Sequence, residues 1–179
     1  MTAFTVLSVQ STLSLIAFSL IASWYVLPRL TAQPREKAIE WLLWVHVFRY
    51  APLTLYAPGQ VDPAIPADVA AVVAYGDFVS ALVALAALCA LRARWRSAIA
   101  LVWLFTAVGV GDLALATWKA VGAQMYTFFM GWNWYILNFY VPMLVVGHAL
   151  IVYLLVTLPA FFESISPEHR VSGGPHANI

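Results

Sequence analysis

Five side chains that can carry charge stand inside long apolar stretches of this 179-residue sequence: His46, Arg49, Asp77, Asp112 and His148. An arginine or aspartate in hydrocarbon costs about 2.5–3.5 kcal/mol on insertion scales, so such residues turn away from lipid and need partners. Carboxyl, imidazole and guanidinium groups together suit proton transfer and the binding of anionic or carbonyl groups. We therefore expect these side chains to converge on one polar core.

The second apolar stretch carries three candidate groups on one helix face. His46, Arg49 and Tyr50 are spaced i, i+3, i+4, which brings them to the same side of a helix. In this interpretation Arg49 and Tyr50 bind an anionic or carbonyl group of a ligand. The tentative catalytic set is Asp77, Asp112 and His46, in which a carboxyl group transfers a proton and the imidazole assists.

The last apolar stretch contributes a polar stripe of its own. Trp134, Asn138 and His148 fall on one helix face, and Pro142 removes the amide that would bond the carbonyl of Asn138. We expect the helix to bend beside that position. Trp134 and Asn138 are therefore assigned to ligand binding, and nearby aromatic side chains would cover a hydrophobic or amphipathic, lipid-like small molecule.

The charges of this set do not balance. Asp77 and Asp112 face one arginine, Arg49, and a low-dielectric site does not hold the extra negative charge bare. One carboxyl group keeps its proton, a histidine is protonated, or a cationic ligand is bound. A fourth interpretation needs no ligand, because an arginine–aspartate pair inside a membrane also holds helices together.

Two further functions compete with a ligand pocket. His46 and His148 lie at similar depth on different helices, as the two axial ligands of a b-type haem require, although buried histidines more often serve hydrogen bonding. Aspartate, arginine and histidine side chains across several helices also occur in proton pathways. The second alternative is therefore a non-enzymatic subunit of an assembly or of a proton pathway.

The elements that must position these groups are hydrophobic helices. Hydrophobic residues make up 63% of the chain, charged residues 9%, and the mean hydropathy is +0.85, values unlike those of a soluble domain. A bilayer core of about 30 Å needs roughly 20 apolar residues in a helix. The sequence predicts an all-α, multi-pass membrane domain over residues 1–162, with a flexible tail over 163–179. Its five spans cover about 4–27, 38–57, 69–91, 97–118 and 134–158.

The distribution of basic residues predicts the orientation. Seven lie on one side of the predicted bundle, and Lys119 alone lies on the other. By the positive-inside rule the N-terminus is outside and the C-terminus is cytoplasmic, in a bacterial-type inner membrane. The seven are Arg29, Arg35, Lys37, Arg92, Arg94, Arg96 and Arg170.

Counting along the helices predicts how deep the polar groups lie. With a rise of about 1.5 Å per residue, Arg49 and both aspartates come roughly 7–12 Å below the outer surface. The two histidines come roughly 10–13 Å above the inner surface. We therefore expect an outward-facing pocket between the last four helices, floored by Arg49, Asp77, Asp112 and Asn138, with His46 beneath. The aromatic segment 120–135 would cap it.

Several classes are excluded. One cysteine, Cys89, permits no internal disulfide, and no Walker, dinucleotide-binding or Gly-x-Ser-x-Gly motif is present. A net charge of +1 indicates no nucleic-acid partner. The expected partners are membrane lipids, a hydrophobic or amphipathic small molecule, and further copies of the chain or other subunits of a membrane complex.

Overall fold

A computed structural model describes residues 1–157, and that part of the chain is helical without β-strands. Four of its helices are long and apolar enough to cross a membrane: α1 (Ala3–Thr31), α3 (Ala67–Arg92), α4 (Ala98–Gly122) and α5 (Asn133–Thr157). Between the first two lies α2 (Arg35–Val47), which continues as a 3₁₀-helix (Phe48–Tyr56). The predicted tail, 163–179, and the last residue of the fifth predicted span lie outside the described residues.

The helix α1 continues beyond the predicted first span, about 4–27, through Pro28 and as far as Thr31. A π-helical turn, Ala22–Val26, precedes the proline, and the amide of Leu27 bonds the carbonyl of Ala22, five residues back. Proline lacks an amide and crowds the carbonyl four residues earlier. The wider π turn absorbs that defect, so the helix passes through the proline instead of stopping.

The same device appears in α5, where the sequence predicts a bend. The π-helical turn Ile136–Tyr140 ends next to Pro142, and the amide of Val141 bonds the carbonyl of Ile136. Asn138 lies inside this turn and donates from Nδ2 to the carbonyl of Trp134 at 2.8 Å. The side chain thus supplies a backbone carbonyl with a partner where the α-helical pattern is interrupted.

The helix α2 changes character close to its candidate residues. It is α-helical as far as Val47 and then 3₁₀-helical, and Pro52 in the second part has no amide to give to the carbonyl of Arg49, its 3₁₀ partner three residues earlier. Such long 3₁₀ runs are uncommon and often mark functional segments. Arg49 lies at the start of the tightened part, one turn beyond His46, and both side chains are fully buried.

Small residues let the inner helices pack closely. The buried side of α3 is rich in alanine, including Ala74, Ala81, Ala84 and Ala87, and this helix packs against both α2 and α4. Without bulky side chains between them, the backbones approach closely, as in other apolar helix bundles. In contrast, α1 packs on α5 and on the turn Met125–Thr127, and no residue of its α-helical part Ala3–Ile21 is buried.

The segment between α4 and α5 lies over one end of the bundle, and its aromatic residues differ in burial. Met125 and Met130 are buried beside Leu55 and Ala74. Phe129 and its aromatic neighbours Trp132 and Tyr135 are each more than half exposed. Flexible methionine side chains fill the irregular space, and the partly buried Phe128 packs beside them.

Candidate functional site

Arg49 is the centre of the polar cluster, and its guanidinium group is enclosed by partners from three helices. Nε donates to Oδ1 of Asp77 on α3 at 2.7 Å, and Nη2 donates to Oδ2 of Asp112 on α4 at 2.7 Å. Nη1 donates to the carbonyl of Gly109 at 3.2 Å and to Nε2 of His148 on α5 at 3.1 Å. All three nitrogens of a side chain with no exposed surface are therefore hydrogen-bonded.

The contact with Arg49 determines the tautomer of His148. A guanidinium group has donors only, so Nε2 of His148 accepts the hydrogen bond and carries no proton. The ring is then neutral with its proton on Nδ1, an atom that has no hydrogen-bond partner among the described residues. Of the options for balancing the second carboxylate, protonation of His148 is therefore incompatible with this contact.

Three glycines make room for the cluster. A Cβ atom on Gly76 of α3 would overlap Oδ1 of Asp112, and one on Gly109 of α4 would lie 2.7 Å from the ring of His148. A Cβ on Gly147 of α5 would lie 2.7 Å from Nε2 of His46. Gly76 directly precedes Asp77 in the sequence. Two glycines precede Asp112, and of these Gly109 makes the close contact whereas Gly111 faces open space.

The two histidines form an aromatic cluster with Phe105, which stacks on His148 and meets His46 edge-on. Their ring centroids lie 4.3 Å apart, and each ring lies 5.0 Å from that of Phe105. An iron atom between two imidazoles, each bound at about 2 Å through nitrogen, would hold the ring centroids about 6 Å apart with a macrocycle between them. Rings in direct contact leave no such space, so the arrangement of His46 and His148 does not fit haem ligation.

The remaining candidate ligand-binding residues lie away from Arg49. Oδ1 of Asn138 accepts a hydrogen bond from Ser11 at 3.0 Å, and Nε1 of Trp134 donates to Gln10 at 2.9 Å. Both therefore join α5 to α1. Tyr50 is 46% exposed on the outer surface of α2. The rotation of α2 and α5 about their axes separates these three side chains from the cluster that Arg49 organises.

The sequence analysis did not predict several residues that join the helices through hydrogen bonds. Tyr140 donates from Oη to the carbonyl of Val45 at 2.6 Å, where α2 turns into the 3₁₀-helix, and Ser80 donates to Oδ2 of Asp112 at 3.4 Å. The buried Asn133 accepts from the hydroxyl of Thr54 at 3.0 Å. Ser80 lies three residues after Asp77, a helical spacing that places both on one face and was a usable signal.

A large cavity forms a groove on the side of the bundle. It has a volume of about 980 Å³ and lies between the second half of α4 and the middle of α5. His148 is the one ionisable side chain of its lining. The other lining residues are Val110, Leu113, Ala114, Thr117, Trp118, Val121, Gly122, Val141, Val145, Ala149 and Val152.

The cluster itself borders little open space. Asp77 lines a cavity of about 40 Å³ whose other walls include Met125 and Met130, and neither Arg49 nor Asp112 lines it. That volume holds a water molecule but no amphipathic ligand. The pocket expected from the sequence, floored by Arg49 and open to one end, thus differs from the groove, which opens to the side and reaches the cluster through His148.

Chemically, the cluster is built to hold one geometry. An arginine does not release its proton in proteins, so the path from Asp112 to His148 through Arg49 is a chain of contacts but not a proton relay. Hydrogen bonds between charged groups are strong and directional, and here they join α2, α3, α4 and α5 at one point. Arg49 therefore orients His148 beside the groove.

Comparison with curated proteins gives no match, and comparison with solved structures gives none. A family model described as a domain of unknown function, DUF8737, matches residues 6–156, which include every residue of the Arg49 cluster and of the groove. The chain therefore belongs to the DUF8737 family.

Proposed function

We propose that the chain is a five-span membrane protein with its N-terminus outside and its C-terminus in the cytoplasm. Four helices have the required length and apolarity, and the fifth, residues 35–56, packs against both α3 and α5. If those neighbours cross a bilayer, the segment between them crosses it as well. Its buried Arg49 has partners from three other helices, which meets the requirement for a charge at membrane depth.

The orientation follows from the basic residues and has a direct test. A reporter domain that is active only in the cytoplasm should be active when it is fused after Ile179. Activity of a reporter that works only in the periplasm, fused at the same position, would contradict the proposal.

We propose further that this protein binds a lipid-like or amphipathic small molecule in the groove between α4 and α5. The observation that carries the proposal is an apolar groove of about 980 Å³ with one ionisable side chain, His148, in its lining. Binding sites for small molecules are mostly apolar and hold a few placed polar groups. The volume suits a ligand of considerable size, and the lateral opening suits one that arrives through the bilayer.

His148 supplies the specific polar contact in this proposal. Its Nε2 is held by Arg49, and its Nδ1–H has no partner among residues 1–157. A buried donor without a partner costs about 1–3 kcal/mol. Nδ1 has less than 1 Å² of exposed surface, so a ligand oxygen gains this hydrogen bond only when side chains at the groove wall shift to admit it. The ligand we expect therefore has a long apolar body and one hydrogen-bond acceptor.

Binding rather than catalysis is proposed because the expected catalytic groups are otherwise engaged. Asp77 and Asp112 are bonded to Arg49, and His46 has no exposed surface and does not line the groove. In this proposal Arg49 and the two aspartates are positioning residues, which keep His148 neutral and correctly turned.

Filling the groove tests the proposal. We expect a small molecule to remain bound when the protein is extracted directly into nanodiscs, at about one per chain by native mass spectrometry. Ala114→Trp and Ala149→Trp place a large ring among the lining residues and should lower its occupancy at least tenfold. Ala86→Trp is the matched control, because Ala86 is exposed on α3 and does not line the groove. Equal occupancy in all three variants would refute the groove as the binding site.

A further inference from the structure

Another cavity lies at the end of the bundle where a turn joins α3 to α4. Its volume is about 450 Å³, and charged side chains make up much of its wall. They come from the start of α2 and from the turn itself. The lining residues are Arg35, Glu36, Leu91, Arg94, Trp95, Arg96, Ala98 and Ile99.

The backbone of this turn indicates that Arg94 is there for its side chain. Arg94 has φ +55°, in the left-handed region that L-residues other than glycine rarely adopt. The amide of Arg94 bonds the carbonyl of Leu91, and the amide of Trp95 bonds that of Ala90. This is the Schellman pattern at a helix end, where glycine is the usual residue. The turn alone would favour glycine, so an arginine at this position points to a role for its guanidinium group.

Among residues 1–157, the charged side chains that line the cavity leave a positive excess. Arg35 Nη2 lies 3.6 Å from Glu36 Oε1, so these two groups offset each other. Within residues 1–157, no carboxylate lies within 4.0 Å of the guanidinium groups of Arg94 or Arg96. The N-terminal end of α4 also borders the cavity through Ala98 and Ile99, and its helix dipole adds a partial positive charge.

We propose that this cavity binds a phosphate-bearing anion, held by Arg94 and Arg96. Arginine matches phosphate oxygens in geometry and charge, and the α4 N-terminus favours the same ligand. Trp95 lies between the two arginines and is 60% exposed, as is common for a side chain at the headgroup level of a membrane. The phosphate belongs to a lipid headgroup or to a soluble phosphate compound. This site is separate from the groove and does not depend on a ligand there.

The test compares two double variants that remove the same charge. Arg94→Gly with Arg96→Gln strips the cavity, whereas Arg29→Gln with Lys37→Gln removes two positive charges from residues that do not line it. The full chain is reconstituted in phosphatidylcholine nanodiscs. One arm adds phosphatidylglycerol to the bilayer and counts retained lipid by native mass spectrometry. The other arm titrates inorganic phosphate and glycerol 3-phosphate and measures the dissociation constant.

The cavity variant should lose about fivefold in affinity per arginine, or about 25-fold in all. The control should lose markedly less. A loss seen with phosphatidylglycerol assigns the site to a lipid headgroup, and a loss seen with the soluble phosphates assigns it to a soluble ligand. Equal losses in the two variants, or no binding in either arm, would overturn the proposal. Glycine tolerates a positive φ, so the thermal unfolding temperature of Arg94→Gly should not fall. That result separates lost binding from lost folding.

Discussion

Arg49 and His46 lie one helical turn apart, are both fully buried, and are treated by the fold in opposite ways. Arg49 has a hydrogen-bond acceptor at each of its nitrogens. His46 has no hydrogen-bond partner within residues 1–157 at either ring nitrogen, and it packs against the rings of Phe105 and His148. A permanent charge must be paired wherever water is absent, whereas a neutral imidazole can be buried as an aromatic ring at a smaller cost.

The surroundings of Arg49, the first region, and of His46, the second region, share one feature. In each, a glycine on the facing helix leaves room for the side chain. Gly109 gives Arg49 and His148 their space, and Gly147 gives His46 its space. In the first region the close approach brings a carbonyl and a guanidinium group together. In the second it brings a backbone against a ring edge. Close packing is therefore general to the core, and the pairing of charge is local to Arg49.

The largest expected effect comes from removing the charge at the centre of the paired region. Arg49→Leu leaves two buried carboxylates without their cation, and breaking a buried pair in this way costs about 3–5 kcal/mol. Thermal or denaturant unfolding in detergent should show this loss, and Arg29→Leu at an exposed position should stay within about 0.5 kcal/mol of the parent. Adding Asp77→Asn and Asp112→Asn to Arg49→Leu should restore part of the stability. Without such rescue, unpaired charge is not the cause.

A smaller effect is expected from the shared glycine device. Gly109→Ala puts a methyl group 2.7 Å from the ring of His148 and 2.8 Å from Nη1 of Arg49, so one of them must move. Overpacking of this kind costs about 1–3 kcal/mol. Gly111→Ala is the matched control in the same helix, since nothing lies within 4 Å of its Cβ. There the better helix propensity of alanine should stabilise by up to about 1 kcal/mol. Equal effects at the two glycines would contradict the close contact.

The smallest effect separates the two histidines. His148→Leu removes the acceptor for Nη1 of Arg49 and should cost about 1–2 kcal/mol. His46→Leu removes a group that makes no hydrogen bond within the described chain, so the change should be below about 1 kcal/mol. Unfolding curves of the two variants, measured side by side, give the comparison directly. A larger loss for His46→Leu would mean that its ring has a partner, such as a bound water molecule.

Helix geometry and the cost of buried charge predicted the charged cluster around Arg49 more accurately than they predicted the other residues of the expected pocket. The constant rise of a helix places Arg49, Asp77 and Asp112 at one depth from sequence position alone, and in the structure both aspartates lie 2.7 Å from Arg49. Because an unpaired buried charge is costly, side chains of opposite charge at the same depth are expected to form an ion pair. For Asn138 the same counting gave a suitable depth, yet its partner is Ser11 on α1.

Composition and periodicity by themselves determined that the chain is helical, which stretches are apolar, and which charged side chains must pair. These properties follow from short-range geometry and from the free energy of transfer out of water. Only the tertiary structure decided that α1 passes through Pro28, that Asn138 and Trp134 face α1, and that a groove of about 980 Å³ opens between α4 and α5. Those outcomes depend on how each helix is rotated about its axis and on which neighbour its small residues admit. Both are set by contacts between residues far apart in the chain, and the spacing of residues within one helix does not encode them.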